Sequence, residues 1–205
     1  MPYIGLILPA TSLIILLLSK VKRDIFDNIF AIFLLYTIVN ESISLILQSF
    51  SDLSPLVLYN IYSIVAFLFF ISMFRAKIRS TGVRLGLFIA MAGLTLFHVV
   101  DSWFTGDYLT SFHYHTFVAG TIILLLTIVY YFTSLLESEE IIIFYDLRPF
   151  WVSLGLLSFY IPFTPLMVCM NLNIMDGESI NKIIEVLNII MHIGFWIGYT
   201  RKSIS

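Results

Sequence analysis

Seven apolar stretches, at about 2-19, 25-49, 54-78, 82-103, 109-136, 149-173 and 181-200, are joined by six short connections. A helix needs about 20 predominantly apolar residues to cross the hydrocarbon core of a bilayer. No water is available there to the backbone N–H and C=O groups, so a spanning segment satisfies them within its own helix. The pattern predicts an all-α polytopic integral membrane bundle of seven transmembrane helices. Composition agrees, since 60% of the 205 residues are hydrophobic, 12% are charged and the mean hydropathy is +0.99. Seven spans take up roughly 140 to 160 residues. Residues 1-205 therefore read as a single transmembrane domain without a soluble catalytic or nucleotide-binding domain.

The charges orient the bundle. The first stretch, Pro2 to Leu18, has no positive n-region and no A-x-A site, and Lys20, Lys22 and Arg23 follow its apolar run. It reads as a retained first helix with its N-terminus outside. On that topology Lys20, Lys22, Arg23, Arg75, Lys77, Arg79, Arg84, Arg148, Arg201 and Lys202 fall inside, and Lys182 alone falls outside. Ten of eleven positive residues on one side is the bias of the positive-inside rule, and a miscounted span would move every later loop to the other side. The expected orientation is N-terminus outside and C-terminus inside. A net charge of -2 offers no basic surface to neutralise phosphates, which excludes nucleic-acid binding. The single Cys169 cannot close an internal disulfide.

Small residues and prolines give hints about packing. Gly82 and Gly86 are four apart at the start of span 4, as are Gly194 and Gly198 in span 7, a spacing that lets backbones approach closely. Pro162 and Pro165 fall within span 6, where each removes an N–H, so a kink is expected near Tyr160.

Polar residues within spans are costly and are the default functional candidates. Asn40, Glu41, Asn60, His98, Asp101, His113, His115, Glu185, Asn188 and His192 are expected in the outer half or near mid-depth, and all four histidines are among them. Glu41, Ser44 and Gln48 follow i, i+3, i+7 spacing, as do Glu185, Asn188 and His192, while His98 and Asp101 are i, i+3. His113 and His115 are two apart, so on one helix at most one shares a pocket with the rest; His113 is favoured because Thr116 and Gly120 continue its face. The candidate ligand-binding set is Glu41, His98, Asp101, His113, Glu185, Asn188 and His192. One reading is an outward-facing pocket that binds a polar or cationic ligand, or responds to protonation, because a histidine beside a carboxylate titrates near neutral pH. A second is a metal site of histidine and carboxylate ligands, although no H-x-x-x-H pair is present to frame one. A third is cross-helix hydrogen bonding that only holds the bundle together.

Mid-span 7 carries His192 and no lysine, which excludes a retinal Schiff base. The longest inner connection, Glu137 to Arg148, reads ESEEIIIFYDLR, with Ile141 to Phe144 too few to span and too apolar for a free loop. These residues are expected at the membrane interface, on the protein's own helix ends, or against another protein. The stretch from Glu140-Ile141 through Arg148-Pro149-Phe150-Trp151, followed by Gly155-Leu156-Leu157 and Tyr160, resembles a recurrent segment of small multi-helix membrane proteins of Bacteroidetes-type bacteria. Some of these are similar to the membrane portions of sensor histidine kinases. The resemblance covers roughly the fifth and sixth spans and supplies no functional residues. It implies signalling from a bacterial cytoplasmic membrane to a separate cytoplasmic partner, for which Glu137-Arg148 is the candidate surface. The expected function is a receptor or sensor-like module without a resident cofactor, partnered by the lipid bilayer. The alternatives are a membrane-embedded metal-dependent hydrolase, a small transporter, or a structural subunit of a membrane complex.

Overall fold

The computed structural model describes residues 3-19, 22-50, 56-105, 112-171 and 177-201. Among them every regular element is helical: α1 (Ile4–Leu18), α2 (Ile25–Phe50), α3 (Leu56–Lys77), α4 (Thr81–Thr105), α5 (Tyr114–Leu136), α6 (Arg148–Asn171) and α7 (Gly177–Thr200), with a 3-10 segment at Glu139–Asp146. The six helices α2 to α7 are long and apolar enough to cross a membrane, which makes this a multi-pass membrane protein. The first helix is shorter, 15 residues or about 22 Å. Gly5 nevertheless lies beside Glu41 of α2, so α1 reaches to within nine residues, about 13 Å, of the far end of its neighbour.

Helices α1, α2, α3, α5, α6 and α7 form a closed ring in which each packs on the next and α7 returns to α1; α4 lies outside the ring, against α3 and α5. Aromatic side chains fill the ring. The rings of Phe33 and Phe70 are 4.5 Å apart between α2 and α3, Phe67 and Tyr160 are 5.4 Å apart between α3 and α6, and Phe30 and Phe195 are 4.9 Å apart between α2 and α7. Outward positions such as Ile32, Leu35, Phe88, Leu96, Leu126 and Val129 are exposed, an apolar mantle suited to lipid and not to water.

Helices α6 and α7 meet backbone to backbone. A Cβ added to Gly155 would lie 2.6 Å from the Met191 carbonyl oxygen, and one added to Gly194 would lie 3.0 Å from the Gly155 Cα. Gly198 meets Trp151 in the same seam, whereas Gly82 and Gly86 of α4 face open space. Only the second of the two glycine pairs therefore joins helices of this chain. Helix α6 runs unbroken through Pro162 and Pro165, and the Thr164 hydroxyl donates to the Tyr160 carbonyl at 2.8 Å.

One end of the ring is tied by ion pairs. Asp24 and Asp27 cap α2 reciprocally, each accepting the other's backbone N–H at 3.1 Å. Asp24 pairs with Lys77 at the end of α3, and Asp27 with Arg148 at the start of α6. The Tyr199 hydroxyl of α7 donates to Asp27 Oδ1 at 2.9 Å. Lys22, Arg23, Arg75, Lys77, Arg79, Arg84, Arg148 and Arg201 all belong to this end, while Lys182 lies in the second turn of α7 at the other. The 3-10 segment packs against the same end: the Phe144 ring is 4.9 Å from that of Phe150, and the Trp151 indole N–H donates to the Tyr145 carbonyl at 2.7 Å. Ile142 projects outward, so the segment seats Phe144 on the bundle and presents an apolar edge at the level of the helix ends.

Candidate functional site

Helix α4 has three buried residues, Leu94, His98 and Asp101. Their i, i+4, i+7 spacing makes one stripe, so this lipid-flanked helix docks on the ring through an apolar contact followed by two ionisable ones. Its remaining faces are apolar and exposed, which explains why the ionisable pair points inward.

Asp101 is the centre of a polar group drawn from three helices. Its Oδ2 accepts the Thr116 hydroxyl at 3.0 Å and lies 3.8 Å from His113 Nδ1; its Oδ1 lies 3.2 Å from His115 Nδ1. The His98 and His113 rings are 5.4 Å apart. Asn60 of α3 completes the group by accepting the His113 backbone N–H at 3.0 Å. The side chains of His113 and Asp101 are 0% and 7% exposed, whereas that of His115 is 51% exposed, so the buried carboxylate is bordered by one imidazole at the surface of the bundle.

The spacing argument that allowed only one of His113 and His115 into a shared pocket does not hold. It assumed both on one helix, but α5 begins at Tyr114, and His113 precedes it with non-helical backbone (φ -79, ψ 70). The bend turns His113 back toward α3 and α4 while His115, in the first helical turn, reaches Asp101 from its open side. The five positions from 109 to 113 that the hydropathy pattern adds to span 5 are thus not helix where described, and 106-111 lie outside the described residues.

The remaining candidates occupy other places. His192 faces α1, where Ser12 Oγ is 2.7 Å from His192 Nδ1 and accepts the Trp196 indole N–H at 2.8 Å. Helix α7 starts at Gly177 and not at 181, which moves its midpoint; His192 sits about 5 Å from that midpoint toward the Lys/Arg-rich end. Glu41 is half-buried opposite Gly5, whose missing side chain makes room for the carboxylate; a Cβ there would be 2.8 Å from Oε2. Asn188 donates to the Ile184 carbonyl of its own helix at 3.0 Å, and Glu185 is half-buried one turn nearer the helix start. The structure therefore joins His98, Asp101 and His113 in one group, while the contacts of Glu41 and His192 are made with α1.

Sequence reasoning missed Ser12, Asp24, Asp27 and Trp196 as members of polar groups; it placed His115 in the polar layer but preferred His113 for the pocket, and used Thr116 only to mark the face of His113. A D-x-x-D pair before an apolar run is a helix-start signal that points to Asp24 and Asp27. The partners of Asp27 at 148 and 199 carry no local signal. Among the described residues no three His, Cys, Asp or Glu side chains are arranged to hold a metal ion, so the hydrolase alternative gains no donor set. Comparison of the chain with family models, with curated proteins and with solved structures finds no match.

Proposed function

We propose that the protein is a receptor or sensor-like membrane module in which the Asp101 group receives a proton or a small cationic ligand at the face poor in Lys and Arg. The observation that carries this reading is a buried carboxylate flanked by three imidazoles, one of them at the surface of the bundle, in the seam that docks α4. Hydroxyls or amides suffice for a purely structural contact in a bilayer; imidazoles beside a carboxylate add groups able to exchange a proton or hold a cation. The positions of the eight described Lys and Arg residues at one end support seven crossings with the N-terminus outside and the C-terminus inside. The resemblance to Bacteroidetes-type proteins favours a bacterial cytoplasmic membrane. Glu137–Arg148 then lies on the cytoplasmic side, and its exposed Ile142 edge is the surface offered to a separate signalling partner.

The test is the fluorescence of Trp103, two residues from Asp101, in the full chain solubilised in detergent and titrated from pH 8 to pH 5. Trp151 and Trp196 are replaced by Phe to leave one reporter. A titration is expected in this window, lost in Asp101→Asn and kept in His192→Gln, which belongs to the α1 contact. A flat profile in the parent protein would sink the reading.

A further inference from the structure

A cavity of about 420 Å³ opens at the Lys/Arg-rich end between the α3–α4 turn, the last turns of α5 and the start of α6. Lys77, Arg79 and Ser80 line it from the turn, and Tyr130, Ser134 and Glu137 from α5. The polar group around Asp101 lies at the opposite end of the same helices, so this recess is a separate feature.

The chemistry of the walls selects an anion with several acceptor oxygens. An ammonium, a guanidinium and hydroxyls including those of Ser80, Tyr130 and Ser134 supply donors, and α4 begins at Thr81, which brings its positive dipole end to the rim. Ser80 Oγ caps that helix by accepting the Val83 N–H at 3.5 Å, which leaves its own proton to donate. Lys77 is anchored by Asp24, so its ammonium is held in place before any ligand arrives. The cavity sits where α3 and α5 end and α6 begins, the level at which the glycerophosphate layer of a surrounding bilayer lies. A planar guanidinium matches the oxygens of a phosphate in a way that it does not match a halide. Glu137, at the negative C-terminal end of α5, disfavours a dense second anionic charge and suits a ligand with one phosphate and a neutral or cationic neighbour.

We propose that this cavity binds the phosphate of a phosphate ester, seated against Lys77 and Arg79, the source being a phospholipid headgroup or a soluble phosphoester. The full chain in detergent is melted with glycerol phosphate, dioctanoyl phosphatidylethanolamine, dioctanoyl phosphatidylglycerol, or dioctanoylglycerol as the phosphate-free control. Phosphate-bearing probes are expected to raise the Tm in a saturable way, while dioctanoylglycerol does not. Arg79→Gln is expected to weaken the apparent affinity about tenfold or more. Ser134→Phe, which fills the recess without touching a charge, is expected to abolish the effect, and Arg23→Gln, at the same end outside the lining, to leave it intact. A rise with glycerol phosphate as well as the lipids assigns a soluble source; a rise with the lipids alone assigns a headgroup. No rise with any phosphate probe, a rise undiminished in Ser134→Phe, or equal weakening in Arg23→Gln and Arg79→Gln overturns the proposal.

Discussion

Asp27 is the side chain on which most of the ring's tied end converges, and its replacement has a calculable effect. It is 1% exposed; Oδ1 accepts the Tyr199 hydroxyl, and Oδ2 accepts Arg148 and the backbone N–H of Asp24. Asp27→Asn keeps the volume and removes the charge. Arg148, whose side chain is 14% exposed, then loses its countercharge and keeps as acceptors only neutral oxygens among the contacts described, the amide oxygen of the new Asn and the Lys22 carbonyl at 3.3 Å. Removing one partner of a buried ion pair costs about 3 to 5 kcal/mol, and the position at the helix ends, next to headgroups and water, places this case near about 3. At about 2 to 4 °C per kcal/mol for a chain of this size, the Tm should fall by about 6 to 12 °C. Arg148→Met should cost a similar amount, because it strands the carboxylate instead. The double variant leaves no orphaned charge, so its loss should be smaller than the sum of the singles by about 2 kcal/mol or more. Thermal melting of the detergent-solubilised protein, followed by tyrosine and tryptophan fluorescence, measures all four corners of this cycle. Single losses under about 1 kcal/mol, or a double loss equal to the sum, would refute the reasoning.

The same substitution should act with opposite signs at two glycines. Gly155→Ala drives a methyl against the Met191 carbonyl and should cost about 1 to 3 kcal/mol, whereas Gly86→Ala enters open space and should be neutral or stabilising by up to about 1 kcal/mol; melting of both variants checks it. Ser12→Ala leaves both His192 Nδ1 and the Trp196 N–H without their shared partner and should lower stability by about 1 to 3 kcal/mol, with a changed Trp196 emission as the local readout. The Asp24–Lys77 pair should be acid-sensitive. Burial pushes the Asp24 carboxyl up, but the hydrogen bond and charge of Lys77, the Asp27 backbone N–H and Arg148 outweigh it and hold the carboxyl below its ordinary range. A depressed folded-state value adds stability above the unfolded value that is lost as the pH falls below about 4. The Tm difference between the parent and Lys77→Met should be present at pH 7 and shrink steadily as the pH falls below about 4. With the Asp24 side chain 42% exposed it should correspond to no more than about 1 kcal/mol.

Hydropathy made the helices legible because lipid imposes one requirement on every residue of a span. Where a helix continues beyond the apolar run, that signal ends before the helix does. Helix α7 is an example: its first turn is Gly177, Glu178 and neighbours, and Glu178 pairs with Lys182 at 2.7 Å, an i, i+4 contact that extends the helix through polar residues. The four-residue difference moved the inferred depth of His192 and grouped it with side chains it does not meet. The i, i+3 pairing of His98 with Asp101 could be read because both stand on one regular helix. The part played by His115 could not, because it depends on a bend at His113 that periodicity does not encode. The Asp27 network lay beyond reach for a different reason, since its partners are 121 and 172 residues away in sequence and only the closure of the ring brings them together.

That closure also explains why α4 is the element best placed to respond. The ring helices are each held by two neighbours, by aromatic packing, or by the ion pairs at the Lys/Arg-rich end, whereas α4 rests on α3 and α5 from outside. Its buried stripe of Leu94, His98 and Asp101 lies in the half remote from the cations, and from Thr81 to Ala90 no residue is buried. The Asp101 group is therefore part of the contact that seats the helix. Helix α4 is 25 residues, about 37 Å, and joins the Asp101 group to the turn that holds Arg79 and Ser80. Helix α5 runs alongside it, about 28 Å from His115 at one end to Ser134 at the other. The two sites proposed above are thus the two ends of one helix pair, and a ligand at one that favoured a different seating of α4 would, by linkage, alter binding at the other.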